Sequence, residues 1–254
     1  MNNNQSLNLN KVPAVTLIFW GIKILATTLG ETGGDAVSMS MNLGYAIGTG
    51  IFMVFFLGVV TAQIKVKSFH PFLYWAVIVA TTTVGTTMAD YATRSMGIGY
   101  IGGSLILFTL LMLVLAVWRF TMGSVSAAHI SKPKVEVFYW ATILFSNTLG
   151  TALGDFLADT SSLGYEGGAI FFSTILLLIA VAYFYTKISH TLLFWMAFIL
   201  TRPLGATVGD LLTKPLVHGG LNLGRFSSSA VIAITMVVLI MINSKKNRKP
   251  LTMP

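Results

Sequence analysis

The chain lacks cysteine altogether, which excludes disulfides and thiolate metal sites. It is also poor in charge. Only 9% of its 254 residues are charged, against roughly 25% in a soluble domain. There are four histidines, and His70, His129 and His190 fall in loops on one side while His218 falls on the other. A zinc or copper centre is therefore disfavoured, because those metals want imidazole or thiolate. A Walker phosphate-binding motif is missing, so ATP is not the energy source in this chain. Residues 1–10 are polar and Asn-rich, without the basic start and short apolar core of a cleaved signal peptide.

What remains is apolar: 55% of residues are hydrophobic and the mean hydropathy is +0.79. This is the composition of a polytopic membrane protein. Eight apolar runs are long enough to span a bilayer, at about 12–33, 45–64, 71–91, 101–121, 135–157, 167–185, 192–212 and 226–242. The net charge of +8 raises the question of a nucleic-acid partner, but its placement argues otherwise. Lys11, Lys65, Lys67, Arg119, Lys132, Lys134, Lys187, Lys245, Lys246, Arg248 and Lys249 lie before the first run or after even-numbered runs. The loops after odd-numbered runs hold only Arg94, Lys214 and Arg225. Positive charge stays in the cytoplasm, so both termini are expected there, in a bacterial inner membrane. The bilayer, not nucleic acid, is the expected partner of the basic excess.

One pattern recurs four times. An aromatic-Trp pair is followed by a glycine ten residues after the Trp and an aspartate fifteen after it. The copies are Phe19-Trp20, Gly30, Asp35; Tyr74-Trp75, Gly85, Asp90; Tyr139-Trp140, Gly150, Asp155; and Phe194-Trp195, Gly205, Asp210. The Trp spacings are 55, 65 and 55 residues. This is an internal repeat, with units at about 12–66, 67–126, 132–188 and 189–243 in one membrane domain spanning 1–254. Each unit holds two helices, so all four enter the membrane in the same direction, as parallel repeats about the membrane normal. The expected fold is all-α with eight transmembrane helices. It is either pseudo-fourfold or built of doubled four-helix halves joined near 124–131, with the motif helices inside and the plainer helices outside.

This pattern resembles a bacterial membrane-protein family built from four tandem two-helix repeats of unknown function. The carriers of the resemblance are Trp20, Trp75, Trp140 and Trp195, one per repeat, over about residues 12–243. It implies the eight-helix, four-repeat architecture and transfers no activity or binding residue.

The chemistry must come from the residues. Positions i, i−4 and i−7 from each Asp share a helix face. They read Asp35, Glu31, Thr28; Asp90, Thr86, Thr83; Asp155, Thr151, Thr148; and Asp210, Ala206, Pro203. Thr27, Thr82, Asn147 and Arg202 are adjacent, and Lys23 lies two turns below Glu31. Fifteen residues at ~1.5 Å each put the Asp roughly 22 Å from the Trp. The Trp is expected at the cytoplasmic interface and the Asp in the outer half of the bilayer. The glycines are expected to allow close helix packing or to break the helix, and Pro203 to kink it.

Intramembrane charges are costly, so four aspartates must face the interior and pair, protonate or bind a cation. Counted against Lys23 and Arg202 alone, four Asp and Glu31 leave three negative charges unmatched. Oxygen ligands suit hard ions. The leading expectation is a secondary transporter of a small cation or proton, such as a manganese exporter working by proton antiport, with no cofactor and no enzymatic activity. Metal ligands would come from Asp35, Asp90, Asp155, Asp210 and Glu31. Lys23 and Arg202 would tune them. The alternatives are a pseudo-fourfold cation channel, a carrier of an organic or anionic solute held by Lys23 and Arg202, and, weakest, an intramembrane aspartyl enzyme. At nineteen residues after each Trp the series Met39, Arg94, Asp159, Lys214 marks candidate salt bridges or a gate.

Overall fold

The computed structural model describes residues 11–125, 132–161 and 163–248. The expected junction between halves falls largely outside them, as do residues 1–10, His129 and Lys249. Eight helices and no strand occur among the described residues: α1 Leu17–Asp35, α2 Gly44–Lys65, α3 Pro71–Asp90, α4 Gly99–Met122, α5 Pro133–Thr160, α6 Gly164–Tyr185, α7 His190–Thr213 and α8 Arg225–Arg248. A wider π turn extends α1 over Ala36–Ser40 and α3 over Tyr91–Ser95.

Local chemistry sets the ends. Thr16 Oγ1 accepts from the Phe19 amide at 3.2 Å, and His70 Nδ1 accepts from the Leu73 amide at 3.3 Å. Both contacts satisfy amides that a helix start leaves without a carbonyl. Pro71 and Pro133 stand in the first turn of their helices, where a missing N–H costs nothing. Gly44, Gly99, Gly164 and Gly224 take positive φ between 62° and 80° where the turns that follow the odd helices enter α2, α4, α6 and α8, a backbone shape that glycine adopts without strain. The first apolar run is trimmed, because α1 begins at Leu17 instead of near residue 12.

The odd helices form a closed circuit, with α1 against α3, α3 against α5, α5 against α7, and α7 against α1. Each even helix packs mainly on the odd helix of the next repeat: α2 on α3, α4 on α5, α6 on α7, and α8 back on α1. The odd helices are therefore buried over most of their length. The even helices turn Ile, Leu, Phe and Val outward.

Six helices are long and apolar enough to cross a membrane: α2, α3, α4, α6, α7 and α8. α1 and α5 do not reach that hydropathy, because they carry the polar residues. Lys23, Glu31 and Asp35 lie on α1, and Ser146, Asn147, Thr148, Thr151 and Asp155 lie on α5.

The helices do not break at the motif glycines. α1, α3, α5 and α7 run straight through Gly30, Gly85, Gly150 and Gly205, and α7 continues through Pro203. Each glycine sits against the next inner helix. A Cβ on Gly30 would lie 2.2 Å from Thr82 Oγ1, on Gly85 3.1 Å from the Thr148 nitrogen, on Gly150 2.7 Å from Arg202 Cβ, and on Gly205 2.3 Å from Thr27 Oγ1. The missing side chain lets the backbones approach.

The Trp residues are not interface anchors in the expected sense. Trp75 and Trp140 are 2% exposed, and Trp20 and Trp195 are half-buried. They make an aromatic collar between the inner helices. Each Phe or Tyr of a pair meets the Trp of the next repeat: Phe19–Trp75 at 5.4 Å, Tyr74–Trp140 at 5.6 Å, Tyr139–Trp195 at 6.2 Å and Phe194–Trp20 at 5.8 Å between centroids.

Candidate functional site

Beyond the collar, the inner circuit becomes polar in three levels. At the lowest level lies Lys23, with no exposed surface. Its Nζ donates a long 3.5 Å bond to Asn147 Oδ1 and stands 4.0 Å over the Phe198 ring. Asn147 is itself oriented by donating from Nδ2 to Thr81 Oγ1 at 2.9 Å. α1, α3, α5 and α7 each contribute one residue here.

The middle level is an ion pair. Arg202, also fully buried, donates from Nη2 to Glu31 Oε2 at 2.8 Å and to Thr86 Oγ1 at 2.5 Å, and from Nη1 to the Thr27 carbonyl at 3.4 Å. Thr86 Oγ1 also lies 3.2 Å from Glu31 Oε2. The planar guanidinium thus ties α7 to α1 and α3 at once.

At the outer level the four aspartates divide into two pairs, each joined by a base from the turn that follows. Lys214 Nζ donates to Asp35 Oδ2 at 3.2 Å and lies 3.2 Å from Asp210 Oδ1. Arg225 Nε adds a 3.5 Å charge contact to Asp35 Oδ2. On the opposite side Arg94 Nε lies 2.7 Å from Asp90 Oδ1, and Arg94 Nη2 lies 3.4 Å from Asp155 Oδ2 and 3.1 Å from Asp159 Oδ2. Tyr100 and Tyr165 donate their hydroxyls to Asp159. All four aspartates are buried. Asp35 Oδ1 and Asp155 Oδ1 are buried without a hydrogen-bond partner.

Glu31, Asp35 and Asp210 draw closest together, each offering one oxygen within 4.8 Å of the others. The remaining stripe residues are nearby but turned to their own helices. Thr28, Thr83, Thr148 and Thr151 donate to carbonyls one turn back, and only Thr86 reaches across to a charged group. The deficit of three charges counted against Lys23 and Arg202 alone falls to one, because Arg94, Lys214 and Arg225 fold back onto the aspartates. Six acids (Glu31, Asp35, Asp90, Asp155, Asp159, Asp210) stand against five bases (Lys23, Arg94, Arg202, Lys214, Arg225).

Burial alone would lower the Lys214 ammonium, but the Asp210 and Asp35 carboxylates outweigh it and hold the group above the ordinary lysine range. A further buried pair joins the opposite end of the bundle: Lys11 Nζ donates to Glu136 Oε2 at 2.8 Å and to the Ile64 carbonyl at 3.0 Å. Glu136 escapes notice in the sequence because it lies outside the repeat motif.

A family model described as a repeat of unknown function (DUF347) matches the chain four times, over residues 18–69, 73–124, 138–189 and 193–249. No curated protein and no solved structure matches it. Four tandem matches, each carrying one motif Trp, mean that the chain belongs to this repeat family.

Proposed function

We propose that this protein is a secondary transporter of a small hard cation. It crosses the bacterial inner membrane eight times, with both termini in the cytoplasm and its four repeats arranged about the membrane normal. Helices α1 and α5 count as spans in this reading because their polar residues face the interior of the inner circuit.

One observation carries the reading. The ammonium of Lys214 lies 3.2 Å from Asp35 and 3.2 Å from Asp210, in the group that Glu31 completes. Two carboxylates of the buried trio thus already hold a cation, and that cation is tethered to the chain. Replacing it by a free divalent ion keeps positive charge against the carboxylates and adds one unit more, so exchange avoids exposing bare carboxylates to a low dielectric. Lys214 is the stand-in that fills the site between turnovers. Carboxylate oxygens favour a hard ion such as Mn²⁺, and the gradient that drives it is one of protons.

The two halves have different work. A guanidinium spread over three carboxylates with fixed planar geometry makes Arg94 a strut. A single ammonium on a flexible stem makes Lys214 the exchangeable partner. Arg202 is engaged by Glu31 and Thr86, which argues against a free anionic solute at that level. Aspartates bridged in pairs by Lys214 and Arg94 argue against a free aspartyl dyad.

The test is elemental analysis of cells expressing wild type or Asp35→Asn/Asp210→Asn under a panel of metal challenges. One element should be depleted in wild-type cells and unchanged in the variant. Equal metal content in both, across the panel, removes the metal-transport reading.

A further inference from the structure

Every other buried base among the described residues has a carboxylate beside it. Lys11 has Glu136, Arg202 has Glu31, and Lys214 has Asp35 and Asp210. Lys23 has none within 4.0 Å, although it is, with Arg202, one of the two bases that have no exposed surface. The charge that acts on it is Arg202, which has the same sign.

The surroundings are otherwise uncharged at this level. α3 presents Thr81, α5 presents Asn147, α7 presents Phe198, and α8 contributes Met236 and Ile240 to the apolar cluster around Ile22 and Ala26. The next titratable groups along α3 are Tyr74 and Asp90, and along α5 Tyr139 and Asp155; the two tyrosine hydroxyls lie 2.9 Å apart in the collar. Along α1 the next is Glu31, and along α7, beyond Arg202, it is Asp210.

From this geometry we propose that Lys23 is the proton-carrying site of the transport cycle. The inference rests on the cation-transport reading and departs from the expectation that the carboxylates themselves carry the proton. An ammonium has three donors and no acceptor. Here one long bond and one ring face must replace its water. The neutral amine needs only Asn147, whose Oδ1 accepts from either form. The balance is simple: R–NH₃⁺ releases H⁺ to water on one side and becomes R–NH₂, then takes H⁺ back on the other. No carboxylate holds the charge in place, so only the proton need move.

Distance supplies the coupling. Lys23 and Glu31 are eight residues apart on α1, roughly 12 Å at ~1.5 Å per residue. A unit charge added at that separation shifts a protonation equilibrium about tenfold at an effective dielectric of about 20. A cation arriving at Glu31, Asp35 and Asp210 is therefore sensed at Lys23 without contact. Lys23 itself lies outside the cation site.

The test uses the full chain in proteoliposomes, with Mn²⁺, Mg²⁺ and Ca²⁺ as probes. Two rates are read: tracer self-exchange with equal cation on both sides, and proton movement, by a trapped pH dye, driven by a cation gradient. Wild type should do both. Lys23→Met should keep self-exchange, read at saturating cation so that the reciprocal shift in affinity does not enter, within about threefold and lose proton movement at least tenfold. Lys23→Arg, permanently charged, should show the same split. Proton movement at the wild-type ratio in either variant overturns the inference and leaves cation transport standing. Loss of self-exchange along with proton movement, in variants that still elute as folded protein, overturns it too, because Lys23 would then be part of cation binding. A wild type inert to all three probes overturns the transport reading and this inference together.

Discussion

Gly21 and Gly30 stand on one helix and differ only in what faces them. A Cβ at Gly30 would overlap Thr82, while nothing lies within 4 Å of one at Gly21. Gly30→Ala should therefore destabilise by about 1–3 kcal/mol through overpacking. Gly21→Ala should be neutral or gain up to ~1 kcal/mol from helix propensity. Unfolding of both variants in detergent checks the contrast, and equal effects would mean that the inner helices do not approach closely at Gly30. The Arg202–Glu31 pair makes a second prediction at this scale. Glu31→Gln leaves a fully buried guanidinium without its anion and should cost about 3–5 kcal/mol, whereas Glu31→Gln combined with Arg202→Met should recover part of that loss. An additive double variant would show that the pair is not coupled. Some of this was readable in advance. Arg94 and Lys214 stand four residues after Asp90 and Asp210, a spacing that brings side chains together on a helix. Their second partners, Asp155 and Asp35, come from other repeats, and a count limited to Lys23 and Arg202 left the aspartates short of positive charge.

At the scale of elements, apolar length and turn chemistry placed the helices within a few residues, since those signals are local. What the local signals could not carry was contact between repeats. Trp at a helix end reads as an interface anchor, because the sequence does not say that Phe19, Tyr74, Tyr139 and Phe194 reach across to the next helix. Glycine reads equally as a break or as a close approach until its neighbour is known. The end of α7 offers a test. Lys214 is held above the ordinary lysine range by Asp210 and Asp35 against the opposing effect of burial. A pKa raised on folding gives stability that is fully present below the unfolded value, near ~10.4, and lost only as pH rises through the folded one. The stability difference between wild type and Lys214→Met should thus be flat from about pH 6 to about pH 9. A difference that shrinks across that window would place the titration on the carboxylates instead.

For the whole molecule, repeat order was legible and repeat partnership was not. Four copies of Trp, Gly and Asp announce four units. They do not reveal that α2 leaves its own α1 to pack on α3, or that α8 returns to α1 and closes the circuit. That closure makes the last repeat a structural neighbour of the first, and it lets Lys214 and Arg225 from the end of the chain reach Asp35 near its start. The membrane sidedness of this circuit can be read directly, because the chain has no cysteine to remove first. Ser68, in the turn between α2 and α3, and Met96, in the turn between α3 and α4, are both exposed and lie at opposite ends of α3. If both termini are cytoplasmic, as we propose from the basic loops, a membrane-impermeant thiol reagent applied to intact spheroplasts should label Met96→Cys and spare Ser68→Cys. Inside-out vesicles should give the reverse. Labelling of both from one face would mean that α3 does not span, and would end the eight-span arrangement. Labelling in the reversed sense would leave the spans intact but put the buried carboxylate trio near the cytoplasmic face, and a carrier built this way would then take up its cation from inside the cell.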